Sequence, residues 1–119
     1  MEHKNVVVLF EVVVKENLLD AYLKMAAELK EELAEAGGII SSERFTSLAD
    51  QRKLLSMSVW ESEEAVAKWR NIARHRLNQK QGRERMFESY KISVAAIKRT
   101  YTADERENAP QDSNEFFGL

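Results

Sequence analysis

Apolar positions fall into six blocks along the 119-residue chain, and their spacing changes from one block to the next. Residues 5–15, NVVVLFEVVVK, are valine-rich and apolar at both alternating sets of positions except Glu11. That pattern predicts a strand covered on both faces. In residues 17–38, Leu18, Tyr22, Met25, Ala26, Leu29, Leu33 and Ala36 recur at helical spacing. Asn17 is the expected N-cap, and Gly37 with Gly38 the expected stop. Two stretches of strand formers follow, IISSERFTSL and KLLSMSVWE, joined by ADQR, a connection of hairpin length. The next block, SEEAVAKWRNIARHRLNQKQ, reads as a second helix, with Ser62 at its cap and Glu63 and Glu64 in its first turn. ESYKISVAAIKRTY reads as a fourth strand.

The order β-α-β-β-α-β is a ferredoxin-like, α+β arrangement, with an antiparallel sheet over residues 1–101. Residues 102–119 have the composition of a polar tail, to be held only if Phe116, Phe117 and Leu119 dock somewhere. Two helices cover one face of a four-stranded sheet. Val6, Val8, Phe10, Val12 and Val14 share one face of the first strand, and Val7, Leu9 and Val13 share the other. Burying each large aliphatic side chain is worth about 1.5–3 kcal/mol, so a wet second face forfeits several such terms. A homodimer with sheets facing each other, most simply two-fold symmetric, is the expected solution.

Composition narrows the chemistry. The chain is 44% hydrophobic and 32% charged, as a globular protein is. It has no cysteine, which excludes a disulfide framework, a thiolate nucleophile and sulfur-ligated zinc. No spacing of Asp, Glu and His suggests a metal site, and there is no P-loop, GxSxG or HExxH. The VVVLFEVVV segment is short and broken by Glu11, so neither a signal peptide nor a membrane span is expected, and the chain reads as cytoplasmic. The net charge of −2 gives no reason to expect nucleic acid. It is unevenly spread, with an acidic tail and a basic run from Lys68 to Arg85.

That basic stretch holds the candidate polar chemistry. On a helical wheel, Ala65, Val66, Trp69, Ile72, Ala73 and Leu77 form an apolar stripe, and His75 lies about 135° from its centre. A continuous helix puts Trp69 inward and His75 outward, whereas a break near residues 72–74 brings both to one cavity. Trp69 is either core or pocket wall. His75 is either a solvated side chain or the neutral-pH base of the body. Glu43 and Arg44 on the second strand, and Ser56 and Ser58 on the third, face either solvent or a cavity.

Residues 5–101 resemble the antibiotic biosynthesis monooxygenase family of small dimeric α+β barrels. The resemblance is carried by SSERFTSLADQRKLLSMSVWESEEAVAKWRNIARHRLNQKQGRERMFESYKISVAAIKR. A strand ends in Trp60, a helix carries Trp69, His75 follows, and Gly82 and Arg83 precede the aromatics Phe87 and Tyr90. The resemblance implies a cofactor-independent monooxygenase acting on a small hydroxylated aromatic molecule of quinol or polyketide type. His75 and Trp69 are then the catalytic candidates, and Phe10, Arg44, Trp60, Arg76, Phe87 and Tyr90 the substrate-binding ones, with no cofactor and no metal. Two other functions stay open. One is a non-catalytic, stress-associated dimer that binds a small ligand. The other is haem binding or degradation, from which the chain departs in having no Asn inside its first strand and in the short spacing from Trp69 to His75.

Overall fold

The computed structural model describes residues 5–81 and 86–116, and the side chains of 76–81 lie outside the description. Seven elements follow in chain order: β1 (Val6–Val14), α1 (Leu19–Ala36), β2 (Ile39–Thr46), β3 (Lys53–Trp60), α2 (Glu63–Gln81), β4 (Phe87–Ala96) and α3 (Gln111–Phe116). The strands make one antiparallel sheet in the order β2-β3-β1-β4. This is the ferredoxin-like α+β fold that the block order predicts.

The valine-rich β1 takes a central place because it has apolar side chains to offer on both faces. Its even-numbered residues face the helices: Val6, Val8, Val12 and Val14 are buried there, with Phe10 half-buried between them. Two packed clusters form along that face. Val6 and Val8 pack with Leu33, Trp60, Ala65 and Val66 at one end. Val12 and Val14 pack with Tyr22, Met25, Ala26 and Leu54 at the other. The odd-numbered residues Val7, Leu9 and Val13 lie on the opposite face and remain half-exposed. Glu11 on that face forms an ion pair with Lys91 at 2.9 Å, across the β1–β4 register.

Local signals set most of the element ends. Ser62 caps α2, its hydroxyl accepting from the Ala65 N–H at 3.2 Å. Asn17 does not cap α1. The helix starts after Leu18, which makes no side-chain cap, and Leu18 and Leu19 pack against the second cluster. Gly37 closes α1, donating to the Leu33 carbonyl at 3.2 Å. Gly38 follows with φ +85°, and a Cβ built on it would lie 2.6 Å from the Ala65 Cβ. This close approach lets α1 hand the chain to β2 beneath the start of α2.

The fourth strand ends at Ala96, earlier than its composition predicts. Beyond it, residues 101–116 make contacts among themselves. The Arg106 guanidinium stacks 5.1 Å from the Tyr101 ring centre and donates to Asn114 Oδ1, Ser113 Oγ and the Thr102 carbonyl. Phe116 is 81% exposed, while Phe117 and Leu119 lie outside the described residues. No helix among the described residues is long and apolar enough to cross a membrane.

The two glycines give a graded stability test. Gly37, at φ +81° and ψ 173°, occupies a backbone region reserved for glycine but has nothing within 4 Å of a built Cβ. Gly37→Ala is expected to cost about 1–3 kcal/mol from backbone strain alone. Gly38→Ala adds the clash with Ala65 and is expected to cost more, measured by urea unfolding of both variants beside the parent.

Candidate active site

The sheet and the two long helices leave space between them. They enclose a cavity of about 920 Å³ floored by the sheet and walled by α1 and α2. Strand register lays the floor out in rows. Arg44, Ser56, Phe10 and Ile92 stand side by side across β2, β3, β1 and β4. Ser42, Ser58, Val8 and Val94 make the next row. The floor is therefore polar under β2 and β3 and apolar under β1 and β4.

Aromatic rings crowd the apolar side. Phe10, Phe87 and Tyr90 form a triangle with centroid separations of 5.9, 6.0 and 6.2 Å. Tyr22 on α1 extends it, meeting Phe87 edge-on at 5.6 Å. Such edge-to-face arrangements hold the rings in place, so this half of the cavity is pre-shaped. Tyr90, Ile92 and Val94 are substantially exposed, which leaves the cavity open along β4, one of the sheet's two edge strands.

Arg44 and Tyr22 meet at the boundary between the two halves. The guanidinium carbon lies 5.8 Å from the centre of the Tyr22 ring. Tyr22 is only 2% exposed. Burial pushes its phenol above the ordinary value of 10.0, and Arg44, by charge and by hydrogen bonding, draws it partly back. The phenol is accordingly a proton donor at neutral pH. Arg44 is half-buried, and its Nε is shielded from solvent with no hydrogen-bond partner among the described residues.

The candidates divide clearly. Trp69, Phe10, Arg44, Phe87 and Tyr90 all line the cavity. Trp60 does not. It is 1% exposed, its indole N–H donates to Ser58 Oγ at 2.8 Å, and its ring stands 6.4 Å behind that of Trp69. Trp60 is a core residue supporting the cavity wall, because it ends β3 under the first turns of α2. His75 is exposed and is not among the lining residues. The reason is that α2 runs unbroken from Glu63 to Gln81, so the wheel relation holds and the histidine points away from the Trp69 face. The side chain of Arg76, and Gly82 and Arg83, lie outside the described residues. Among the described residues no group of three or more His, Asp or Glu side chains is placed to hold a metal ion.

Tyr22 was visible in the sequence only as one member of the α1 stripe. Nothing in its spacing marks it off from Met25 or Leu29. Its link to the site is Arg44, which is far away in the chain. Arg44 and Ser56 did carry a signal, as polar residues inside strands of otherwise apolar character.

Comparison with known proteins agrees with this architecture. Residues 5–81 match the antibiotic biosynthesis monooxygenase family, and the chain belongs to that family. It is 34% identical over 109 residues to a jasmonate monooxygenase from Pyricularia oryzae, covering 84% of this chain and 51% of that protein. The chain thus spans about half the length of this curated relative. Among solved structures, a conserved protein from Methanosarcina mazei Go1 superposes with a TM-score of 0.70 at 15% identity, over 81% of this chain and 95% of that one. SnoaB, a cofactor-independent oxygenase from Streptomyces nogalater, superposes with a TM-score of 0.66 at 11% identity, over 82% and 96% respectively. These two likenesses show the shared fold.

Tyr22 supplies a pH prediction. Its folded pKa exceeds the unfolded one, so its contribution to stability is present below the ordinary value and is lost as pH rises through the raised value. In an alkaline absorbance titration, with Tyr22→Phe used to assign the signal, Tyr22 is expected to ionise above 10.0. Arg44→Met removes the cation and is expected to move it higher still.

Proposed function

We propose that this chain is a cofactor-independent monooxygenase that oxidises a small hydroxylated aromatic molecule in the cavity between sheet and helices. The observation that carries this reading is the cavity itself: an apolar, ring-lined chamber large enough for a small polycyclic molecule, with a cation at its boundary. Membership of the monooxygenase family supports it, as does the likeness to a relative named for monooxygenation of jasmonate.

The reaction balances without an external reductant when the substrate supplies all four electrons. A phenol with a hydrogen at the para carbon reacts with one dioxygen to give a quinone and one water. One oxygen atom enters the new carbonyl and the other leaves as water, taking up the phenolic proton and the para hydrogen. The protein's task is to hold the ring, favour its electron-rich form and keep bulk water away from the reacting carbon. Trp69, Phe10, Phe87 and Tyr90 provide the walls, and the Arg44 cation makes negative charge on the ligand less costly. His75, outside the cavity, has no part in this scheme.

The same reading includes a homodimer formed through the sheet face opposite the helices. Leu9, Val13, Leu55, Met57 and Val59 stand half-exposed there, beside the Glu11–Lys91 pair. A second copy of that face would bury them. Sedimentation of the parent at micromolar concentration is expected to give twice the chain mass, and Leu9→Lys with Met57→Lys to give the monomer.

Oxygen consumption with a panel of naphthols and anthrones, each with a hydrogen para to its oxygen and with autoxidation subtracted, tests the chemistry. Turnover is expected without added metal or flavin. Trp69→Ala and Phe10→Ala are expected to lower it at least about tenfold, whereas His75→Ala stays within about twofold. Binding without oxygen uptake across the panel would favour a ligand-binding dimer instead.

A further inference from the structure

The polar half of the cavity floor has no part in holding an apolar ring. Arg44 projects from β2 directly opposite Ser56 on β3, and Ser42 stands one row along the same strand. All three are half-buried and line the cavity. A guanidinium in such a place ordinarily has a carboxylate partner, because a partly desolvated charge is costly alone. Among the described residues no carboxylate pairs with Arg44. Glu88, also on the lining, is held by Arg52 at 2.8 Å. Glu43, next to Arg44 in the chain, is exposed. Among the described residues Arg44 instead meets the Tyr22 ring and phenol. Stacking on a ring uses the face of a guanidinium and leaves its in-plane N–H donors for an acceptor.

We propose that Arg44, flanked by Ser42, Ser56 and the Tyr22 hydroxyl, is a carboxylate-binding site, and that the cavity's ligand is a hydroxylated aromatic acid. Its carboxylate lies over β2 and β3, and its apolar body over Phe10 toward Phe87 and Tyr90. The row geometry fixes that orientation, since Arg44 and Phe10 share one row with Ser56 between them. Planar carboxylate against planar guanidinium allows two parallel hydrogen bonds, and the phenol and serine hydroxyls can donate to the remaining lone pairs. The site then selects by charge at one end and by ring shape at the other. This deepens the proposed function by naming its substrate class, and as a binding site it stands whether or not the chain turns over oxygen.

The other cations near the cavity differ in setting. Lys30, Arg70 and Arg74 are exposed at the rim, and Arg74 already donates to Asn71 Oδ1 at 3.0 Å. They are the controls.

The test is calorimetric titration of the purified chain at neutral pH with naphthoate and with its neutral analogue naphthamide, which have the same ring and nearly the same shape. The parent is expected to bind naphthoate at least about tenfold more tightly than the amide. Arg44→Met is expected to bring the two within about twofold by weakening the acid alone, and Arg44→Lys to keep a reduced preference, which guards against misfolding of the first variant. Arg74→Gln is expected to leave the preference intact. Equal affinities in the parent, failure to bind either ligand at millimolar concentration, a preference that survives Arg44→Met, or one that disappears in Arg74→Gln would each overturn the assignment. Because no turnover is measured, a negative oxygen assay leaves this result to be read on its own.

Discussion

Everything at the site depends on how the side chains of one strand are shared between two packing clusters. β1 sends its even-numbered residues toward the helices. The valines at its two ends are buried among different partners, Leu33 and Val66 at one end and Tyr22 and Met25 at the other. Phe10, half-buried in the middle of the strand, lines the cavity. A continuous core would be worth more in buried apolar area. The chain instead has two half-cores and a chamber, and the aromatic triangle around Phe10 keeps that chamber shaped without filling it.

The two tryptophans show how the chamber wall is made rigid. Trp60 is fixed by burial and by its hydrogen bond to Ser58, and Trp69 leans on it from α2. Trp60 therefore acts at a distance from any ligand and Trp69 at the surface of the cavity. The same residue type has two roles because one side chain ends a strand beneath a helix and the other belongs to the helix above it. A similar division holds for the serines. Ser58 is committed to an indole, whereas Ser56 lies beside Arg44 at the polar boundary.

Much of the fold was legible along the chain. Valine-rich runs marked β1, helical spacing marked α1 and α2, and the order of the blocks specified the sheet. Of the residues to which the family resemblance pointed, Trp69, Phe87 and Tyr90 line the cavity, whereas Trp60 and His75 do not. Local capping rules located α2 through Ser62 but misplaced the start of α1, where Leu18 stands in place of Asn17 and packs with Leu19 against the second cluster.

What the sequence alone determined was periodicity: which residues share a helix face or a strand face, since that follows from backbone geometry. It thereby set Trp69 inward and His75 outward on any unbroken α2. Only the tertiary structure decided that α2 is unbroken, that Trp60 is core while Trp69 is wall, and that Tyr22 and Arg44 meet. Those outcomes depend on register between strands and on where helices separate from the sheet. They are set by packing between residues far apart in the chain, which no local pattern encodes.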